Sequence, residues 1–145
     1  MSQSFDFAHA PGHLIRRAQQ IAVSVFAQEL ADFDVTPVQF AILNALMDSP
    51  GTDQVTLAAQ VAFDAATSGS VIGRLEAKGW VRREASPQDR RRKLLWLTPK
   101  GKKAVLAMAP KVAHVQSLIL QPLQASEQQQ LRALLAKLVS AQSDA

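Results

Sequence analysis

Between Val55 and Ala104 the chain reads VTLAAQVAFDAATSGSVIGRLEAKGWVRREASPQDRRRKLLWLTPKGKKA. A short helix is predicted from Thr56 to Ala62 and a longer one over AATSGSVIGRLEAK, with only Phe63 and Asp64 between them. Asp64 is a favoured N-cap, and Gly79 suits the position that follows a helix. Two helices joined by so short a connection predict a helix-turn-helix.

The residues that follow predict a β-hairpin. Segments 80–84 and 93–97 are strand-like, and the SPQD sequence at 86–89 is typical of a turn. Between Arg82 and Lys93 the chain carries six basic and two acidic residues. The sequence therefore predicts a wing with a basic tip beside the second helix of the helix-turn-helix.

Start signals predict further helices on both sides of this unit. They are Pro11 at a first helical position, Thr36 with Gln39 in a capping box, Thr98 before Pro99, and Ser126 with Gln129 in a second capping box. The fold class expected is mainly α with a small β-wing. Its parts are a dimerisation helix in residues 1–35, a winged helix-turn-helix in 36–98 and dimerisation helices in 99–145.

Dimerisation is expected because the flanking helices carry long apolar faces. A chain of 145 residues buries only about two-thirds of its unfolded surface. The first face comprises Leu14, Ile15, Ala18, Ile21, Ala22, Val25, Phe26 and Leu30, and the last comprises Leu131, Leu134, Leu135, Leu138 and Val139. A compact wing unit cannot cover both faces, so we expect a second copy to pair with them across a two-fold axis.

Composition narrows the classes of partner and compartment. The net charge of +4 favours an acidic partner such as nucleic acid. The chain has no cysteine, which excludes disulfides, thiolate zinc sites and thiol-based sensing. No apolar run approaches the roughly 18 residues of a membrane span, and the first residues do not resemble a signal peptide. A cytoplasmic protein without a membrane partner is predicted.

The second helix of the helix-turn-helix is predicted to read DNA. Its first turns carry small polar residues that we expect to be exposed, namely Thr67, Ser68, Gly69 and Ser70, and Arg74 follows one turn later. Small residues let a helix enter a major groove about 12 Å wide, and hydroxyls or an arginine can bond phosphates and base edges. A merely solvated polar face is the alternative interpretation.

The wing favours the DNA-binding interpretation. Arg90, Arg91, Arg92 and Lys93 are four consecutive cations that can follow phosphates or enter a narrow minor groove. Asp89 is predicted to pair with a neighbouring arginine and to fix its direction. The alternative is a charged loop that binds no partner.

The stretch from Val55 to Ala104 resembles the winged-helix core of the MarR (multiple antibiotic resistance regulator) family. The run RLEAKGWVRREASPQDRRRKLLWLTPKG carries the resemblance, including the D-x-R pattern at Asp89 and Arg91, and the flanking helices extend it over nearly the whole chain. Many relatives have an arginine directly after the capping residue, where this chain has Ala65.

The resemblance implies a homodimer on a pseudo-palindromic operator, with one recognition helix per half-site in the major groove and a wing in the minor groove. It also implies groove contacts for Ser68, Ser70 and Arg74, and a wing-tip contact for Arg91. Because of Ala65, no operator sequence is inferred by analogy.

Proteins that resemble this family often release DNA when a small molecule binds, commonly an aromatic carboxylate. We expect such a site at His13, Arg16 and Arg17, where a cationic pair lies near the apolar Phe40. Phe5 and Phe7 are further apolar residues that we expect beside this cationic pair. No other cofactor is predicted, and a regulator without a small-molecule ligand remains an alternative.

Three other classes are weaker predictions. A zinc site would draw on His9, His13, His114 and Asp6, but Pro11 leaves His9 outside the first helix. An enzyme is not predicted, because the chain has no Gly-rich phosphate loop, no nucleophile elbow and no convergent acid–base pair. A non-specific architectural DNA protein usually spreads its charge widely or inserts apolar wedges, whereas the charge here is localised.

Overall fold

A computed structural model describes residues 4–62 and 65–143, with residues 65, 66 and 143 described through their backbone alone. The described residues form six α-helices, three short β-strands and two 3-10 turns at Phe7–His9 and Ala31–Phe33. In chain order the elements are α1 (Pro11–Glu29), α2 (Pro37–Asp48), β1 (Thr52–Asp53), α3 (Gln54–Gln60), α4 (Ala65–Ala77), β2 (Val81–Ala85), β3 (Lys93–Leu97), α5 (Pro99–Leu120) and α6 (Ala125–Ser143).

Most of the predicted helix starts are confirmed. Pro11 is the first residue of α1, and the hydroxyl of Thr98 caps α5 by accepting from the Gly101 N–H at 2.9 Å. At α2 the Thr36 hydroxyl accepts from the Gln39 N–H at 3.1 Å, and the Gln39 side chain accepts from the Thr36 N–H at 3.0 Å. The predicted connection at Phe63 and Asp64, including the Asp64 cap, lies outside the described residues.

Two helix starts differ from the prediction. Helix α3 begins at Gln54, ahead of the predicted Thr56, because the Asp53 carboxylate accepts from the Thr56 N–H at 2.7 Å and caps the helix. Helix α6 begins at Ala125, so that Ser126 lies inside it rather than capping it. At this end the Glu127 carboxylate accepts from the Gln124 N–H at 2.9 Å. The predicted capping box of Ser126 and Gln129 was therefore wrong.

The sheet contains the predicted hairpin and one additional strand. Strands β2 and β3 pair antiparallel from Val81 opposite Leu97 to Ala85 opposite Lys93. Strand β1, which the sequence did not predict, pairs with the other edge of β3 in the order β1–β3–β2. The wing is thereby joined to the residues that start α3.

One hydrophobic core connects the winged unit to the flanking helices. Phe26 of α1 and Met108 of α5 belong to the same buried cluster as Leu43 of α2, Leu75 of α4 and Leu95 of β3. The expected division at residues 35/36 and 98/99 remains a prediction, but all three segments contribute to this cluster. The position of the winged unit relative to α1 and α5 is therefore set by packing.

Polar contacts fasten the end of α4. Gly79 follows the helix with φ 78°, a left-handed conformation that suits glycine. The Lys78 ammonium donates to the carbonyl oxygen of Phe33 at 3.0 Å and to that of Asp34, and it lies over the Trp80 ring at 4.6 Å. The end of α4 is thus tied to the turn that follows α1.

The predicted apolar faces of the outer helices are largely open to solvent. A groove of about 760 Å³ lies between α1, α5 and α6. Its apolar lining includes Leu14, Ile15, Ala18, Leu120, Leu131 and Leu135. Leu134, Leu138 and Val139 are also exposed on α6. Among the helices of residues 4–62 and 65–143, none is both long and apolar enough to cross a membrane.

Candidate nucleic-acid interface

Helix α4 presents a narrow polar face to solvent. Thr67, Ser70 and Arg74 are exposed and follow one another at spacings of three and four residues. At 3.6 residues per turn these spacings place the three side chains on one side of the helix. On the opposite side Ile72 and Leu75 are buried in the core. The helix is therefore held by its apolar face with hydroxyls and a guanidinium facing outward.

Ser68 does not belong to the exposed face, and the expectation that it would was wrong. Its side chain is only 2% exposed. Ser68 precedes Ile72 by four residues and Leu75 by seven, so helical geometry turns it toward the same core. The small hydroxyl side chain occupies a packed position and does not face the side on which Arg74 lies.

The wing loop spans residues 86–92 and carries the cations predicted for it. Arg90, Arg91, Arg92 and Lys93 are all exposed, and only Lys93 lies in a strand. The backbone of the loop is closed by bonds from the Ser86 N–H to the Arg92 carbonyl oxygen and from the Arg92 N–H to the Asp89 carbonyl oxygen, both 2.9 Å. This short loop presents several guanidinium groups on a defined backbone.

Asp89 pairs with an arginine, as its position predicted. Its Oδ1 accepts from the Arg91 backbone N–H at 3.0 Å and from the Arg91 Nε at 3.3 Å. The Arg91 side chain remains 93% exposed. The bond therefore restricts the guanidinium near the tip of the loop without withdrawing it from solvent.

Asp53 contacts the wing loop, which the sequence did not predict. Its Oδ1 caps α3, and its Oδ2 accepts from the Arg92 Nη2 at 2.8 Å. The Thr56 backbone N–H, then the Arg92 guanidinium, hold the pKa of Asp53 at about 2, below its usual 3.8. The carboxylate is therefore ionised throughout the neutral range. An aspartate before a predicted helix is an N-cap signal, but the Arg92 partner lies 39 residues away.

Arg83 forms a second link between the wing and the helix-turn-helix. Its Nη1 donates to the Gln54 side-chain oxygen at 3.0 Å, and its Nη2 lies 2.8 Å from the Glu76 carboxylate. Gln54 belongs to α3 and Glu76 to α4. One guanidinium on β2 thus contacts both helices of the motif, which fixes the wing beside α4.

The residues of the predicted effector site are only partly brought together. The Arg16 Nη2 donates to the His13 Nδ1 at 3.2 Å, and the Phe7 ring centroid lies 4.7 Å from that of His13. Arg17 donates instead to the Gln20 side chain at 3.1 Å. Phe40 is half-buried on α2 and packs against the hydrophobic core. The described contacts therefore form a His13–Arg16 cluster with Phe7, without Phe40.

Two of the candidate zinc ligands, His9 and Asp6, lie together. His9 belongs to the 3-10 turn before α1, and its Nδ1 lies 2.8 Å from the Asp6 carboxylate. Within residues 4–62 and 65–143, no group of three or more histidine, aspartate or glutamate side chains is placed to hold a metal ion. The geometry of the described residues gives a zinc-sensor interpretation no support.

Comparison with known proteins identifies the family to which this architecture belongs. The family model described as MarR family matches residues 33–92, which cover α2 through the wing loop. The repressor NicR of Pseudomonas putida, an HTH-type transcriptional repressor, is 32% identical over 141 residues. The match covers 97% of this chain and 89% of NicR.

Two solved structures are similar over almost the whole chain. PcaV of Streptomyces coelicolor, a transcriptional regulator solved with its natural ligand, is 34% identical with a TM-score of 0.88, and the match covers 97% of this chain and 99% of PcaV. BpsR of Bordetella bronchiseptica, whose DNA binding is regulated by 6-hydroxynicotinic acid, is 34% identical with a TM-score of 0.86 and 99% of both chains covered. The predicted mainly helical, winged helix-turn-helix fold is confirmed, and the chain belongs to the MarR family of transcription regulators.

Proposed function

We propose that this chain is a homodimeric, sequence-specific DNA-binding repressor that a small aromatic carboxylate releases from a pseudo-palindromic operator. The observation that carries the proposal is the outward polar face of α4 beside a cationic wing loop on one packed unit. Family membership supports the regulator class. The repressor NicR and the ligand-responsive BpsR support the finer assignment.

Helix α4 is the element we assign to the major groove. Thr67 and Ser70 are short enough to let the helix axis approach the bases, and Arg74 reaches a phosphate or a guanine edge from the same face. Arg90 and Arg91 at the wing tip are assigned to the phosphates or minor groove of the flanking DNA, where a narrow groove concentrates negative potential. Lys93 at the start of β3 adds a further positive charge beside the backbone.

Two copies are required for tight binding to DNA. One reading head contacts only a short half-site, and a two-fold dimer engages two half-sites together. The open groove between α1, α5 and α6 is the face we assign to the second copy, because its apolar lining would otherwise remain in water. The partners that we propose are double-stranded DNA, a second copy of the chain and a small acid. We propose a cytoplasmic location and no enzymatic activity.

The His13–Arg16 cluster is the effector site we propose. Arg16 offers a guanidinium for a carboxylate, His13 offers a ring nitrogen, and the Phe7 ring beside His13 offers an apolar face for an aromatic ring. Arg17 remains a candidate on the next face of α1. The 6-hydroxynicotinic acid that regulates BpsR has both features, a carboxylate and an aromatic ring.

A reciprocal pair of variants tests this function. Fluorescence anisotropy would follow binding to DNA from upstream of the chain's own gene and to random DNA, with and without a panel of aromatic acids. Arg74→Ala is expected to lose about 1–3 kcal/mol of operator binding. Arg16→Ala is expected to retain operator binding and to lose the response to the acid.

The other outcomes would change either the proposed function or the proposed effector site. Equal affinity for operator and random DNA would indicate an architectural DNA protein. Selective binding that no acid relieves would indicate a regulator without this ligand class. An Arg16→Ala variant with an unchanged acid response, together with an unchanged Arg17→Ala variant, would reject the proposed effector site.

A further inference from the structure

The neighbouring arginines of the wing loop have different surroundings. The Arg90 side chain is exposed and makes no hydrogen bond or ion pair with the described residues. Arg91 bonds within the loop to Asp89 and is almost fully exposed. Arg92 is 53% exposed, and its guanidinium reaches out of the loop to Asp53, at the start of α3. The three arginines carry the same charge but have different structural roles.

Asp53 is firmly held on both sides. Its backbone belongs to β1 and pairs opposite Leu94 of β3, next to the wing loop. One carboxylate oxygen is occupied by the Thr56 N–H and the other by Arg92. The Asp53 side chain is only 16% exposed. The carboxylate is therefore fixed in position, and its bond to the half-exposed Arg92 is charge-assisted.

This pairing conflicts with a phosphate contact by Arg92. Arg91 is bonded to Asp89 through its Nε at 3.3 Å and stays 93% exposed, whereas the terminal Nη2 of Arg92 lies 2.8 Å from a carboxylate that is only 16% exposed. The charge of Arg92 is therefore more fully neutralised, and this guanidinium should release few counterions from DNA. The same carboxylate would repel an approaching phosphate. The Arg83 contacts to Gln54 and Glu76 show that the wing is also tied to the helix-turn-helix at β2, so the Asp53–Arg92 bond belongs to a wider attachment.

We propose that Arg92 and Asp53 are positioning residues that hold the wing loop against the start of α3, so that Arg90 and Arg91 meet DNA in register with α4. The proposal rests on the DNA-binding function proposed above. It reassigns Arg92, which the sequence grouped with the DNA contacts. In this arrangement Arg92 contributes to operator binding through Asp53 rather than through a phosphate.

The salt dependence of operator binding separates positioning from phosphate contact. Arg90→Gln, the matched control, is expected to weaken binding and to lower the slope of log K against log salt by about 1. Arg92→Gln is expected to weaken binding by up to about fivefold while the slope stays at the wild-type value. Asp53→Asn, which keeps a good N-cap residue, is expected to weaken binding by a similar factor.

The double variant completes the cycle. If the two residues act as a pair, Asp53→Asn with Arg92→Gln is expected to bind no more weakly than either single variant. A phosphate-contact role predicts the opposite sign for Asp53→Asn, because removing a negative charge near DNA would tighten binding. Tighter binding by Asp53→Asn, with a slope lowered by about 1 in Arg92→Gln, would overturn the proposal.

A measurement without DNA keeps this test separate from the proposed function. Amide hydrogen exchange of the free protein would report the Ser86 and Arg92 N–H groups, whose bonds close the wing loop. Both amides are expected to exchange faster in Arg92→Gln and Asp53→Asn than in Arg90→Gln. Unchanged exchange in both variants would reject the positioning role, whatever the protein binds. Absence of DNA binding by the wild type would reject only the proposed function.

Discussion

A single carboxylate, that of Asp53, joins a strand, a helix start and the wing. Because its pKa is held at about 2 by the Thr56 N–H and by Arg92, the folded state binds this proton less readily than the unfolded chain does. A depressed pKa gives stability that is fully present above the unfolded value near 4. That stability is lost as the pH falls toward 2.

The free energy of unfolding should therefore depend on pH through this residue. Asp53→Asn is expected to be less stable than the wild type at neutral pH, and the difference should shrink between about pH 4 and pH 2. Urea unfolding at a series of pH values measures it. Asp48→Asn, at the exposed end of α2, controls for removal of a negative charge elsewhere. A difference that stays constant down to pH 2 would contradict the assignment.

Ser68 shows how far single residues could be predicted. Its type suits a DNA-reading helix, but its position four residues before Ile72 places it on the buried face. The helical period in the sequence contained this information, whereas residue type alone did not. The Asp53–Arg92 bond is different, since no local pattern links residues that far apart in the chain. Such long-range pairs require the assembled sheet.

At the scale of elements, local chemistry predicted the helices well. Thr36 and Thr98 were recognised because a capping hydroxyl followed by proline is a strong start signal. The start of α6 was misplaced because Ser126 and Glu127 both offer capping groups, and the Glu127 bond to Gln124 is the one formed. Strand β1 escaped prediction because two residues show no periodicity and pair only with the distant β3.

The junction between α4, β2 and α5 gives a prediction about packing. A Cβ at Gly101 would lie 2.0 Å from the carbonyl oxygen of Trp80, which is backbone and cannot rotate away. Gly101→Ala is therefore expected to destabilise the fold by about 1–3 kcal/mol, as overpacking does. Chemical denaturation followed by circular dichroism measures the change.

Gly73 supplies the control for that substitution. It lies inside α4, and a Cβ there would have no neighbour within 4 Å. Gly73→Ala is expected to stabilise the protein by up to about 1 kcal/mol, since alanine favours a helix over glycine. If Gly101→Ala were as stable as the wild type, the close approach of α5 to Trp80 would not exist in solution.

At the scale of the whole molecule, the open apolar faces of α1 and α6 are the feature that we expect to determine dimerisation. Leu135 lines the groove and is 43% exposed in the single chain. Leu135→Lys is expected to yield monomers by sedimentation equilibrium and to lower the melting temperature, because a buried charge would oppose pairing. Val55→Lys alters an even more exposed apolar residue, on α3, and should remain dimeric. A dimeric Leu135→Lys would place the interface elsewhere.

Pairing through the exposed groove between α1, α5 and α6 would also make operator occupancy depend on the concentration of the chain in the cell. While most chains are single, the number of paired chains rises with the square of their concentration. Operator occupancy would then climb more steeply than protein synthesis does. A twofold fall in chain number, through dilution at cell division or proteolysis, would free up to three-quarters of the occupied operators in that regime. Gene expression would thereby acquire a threshold before any small molecule acts.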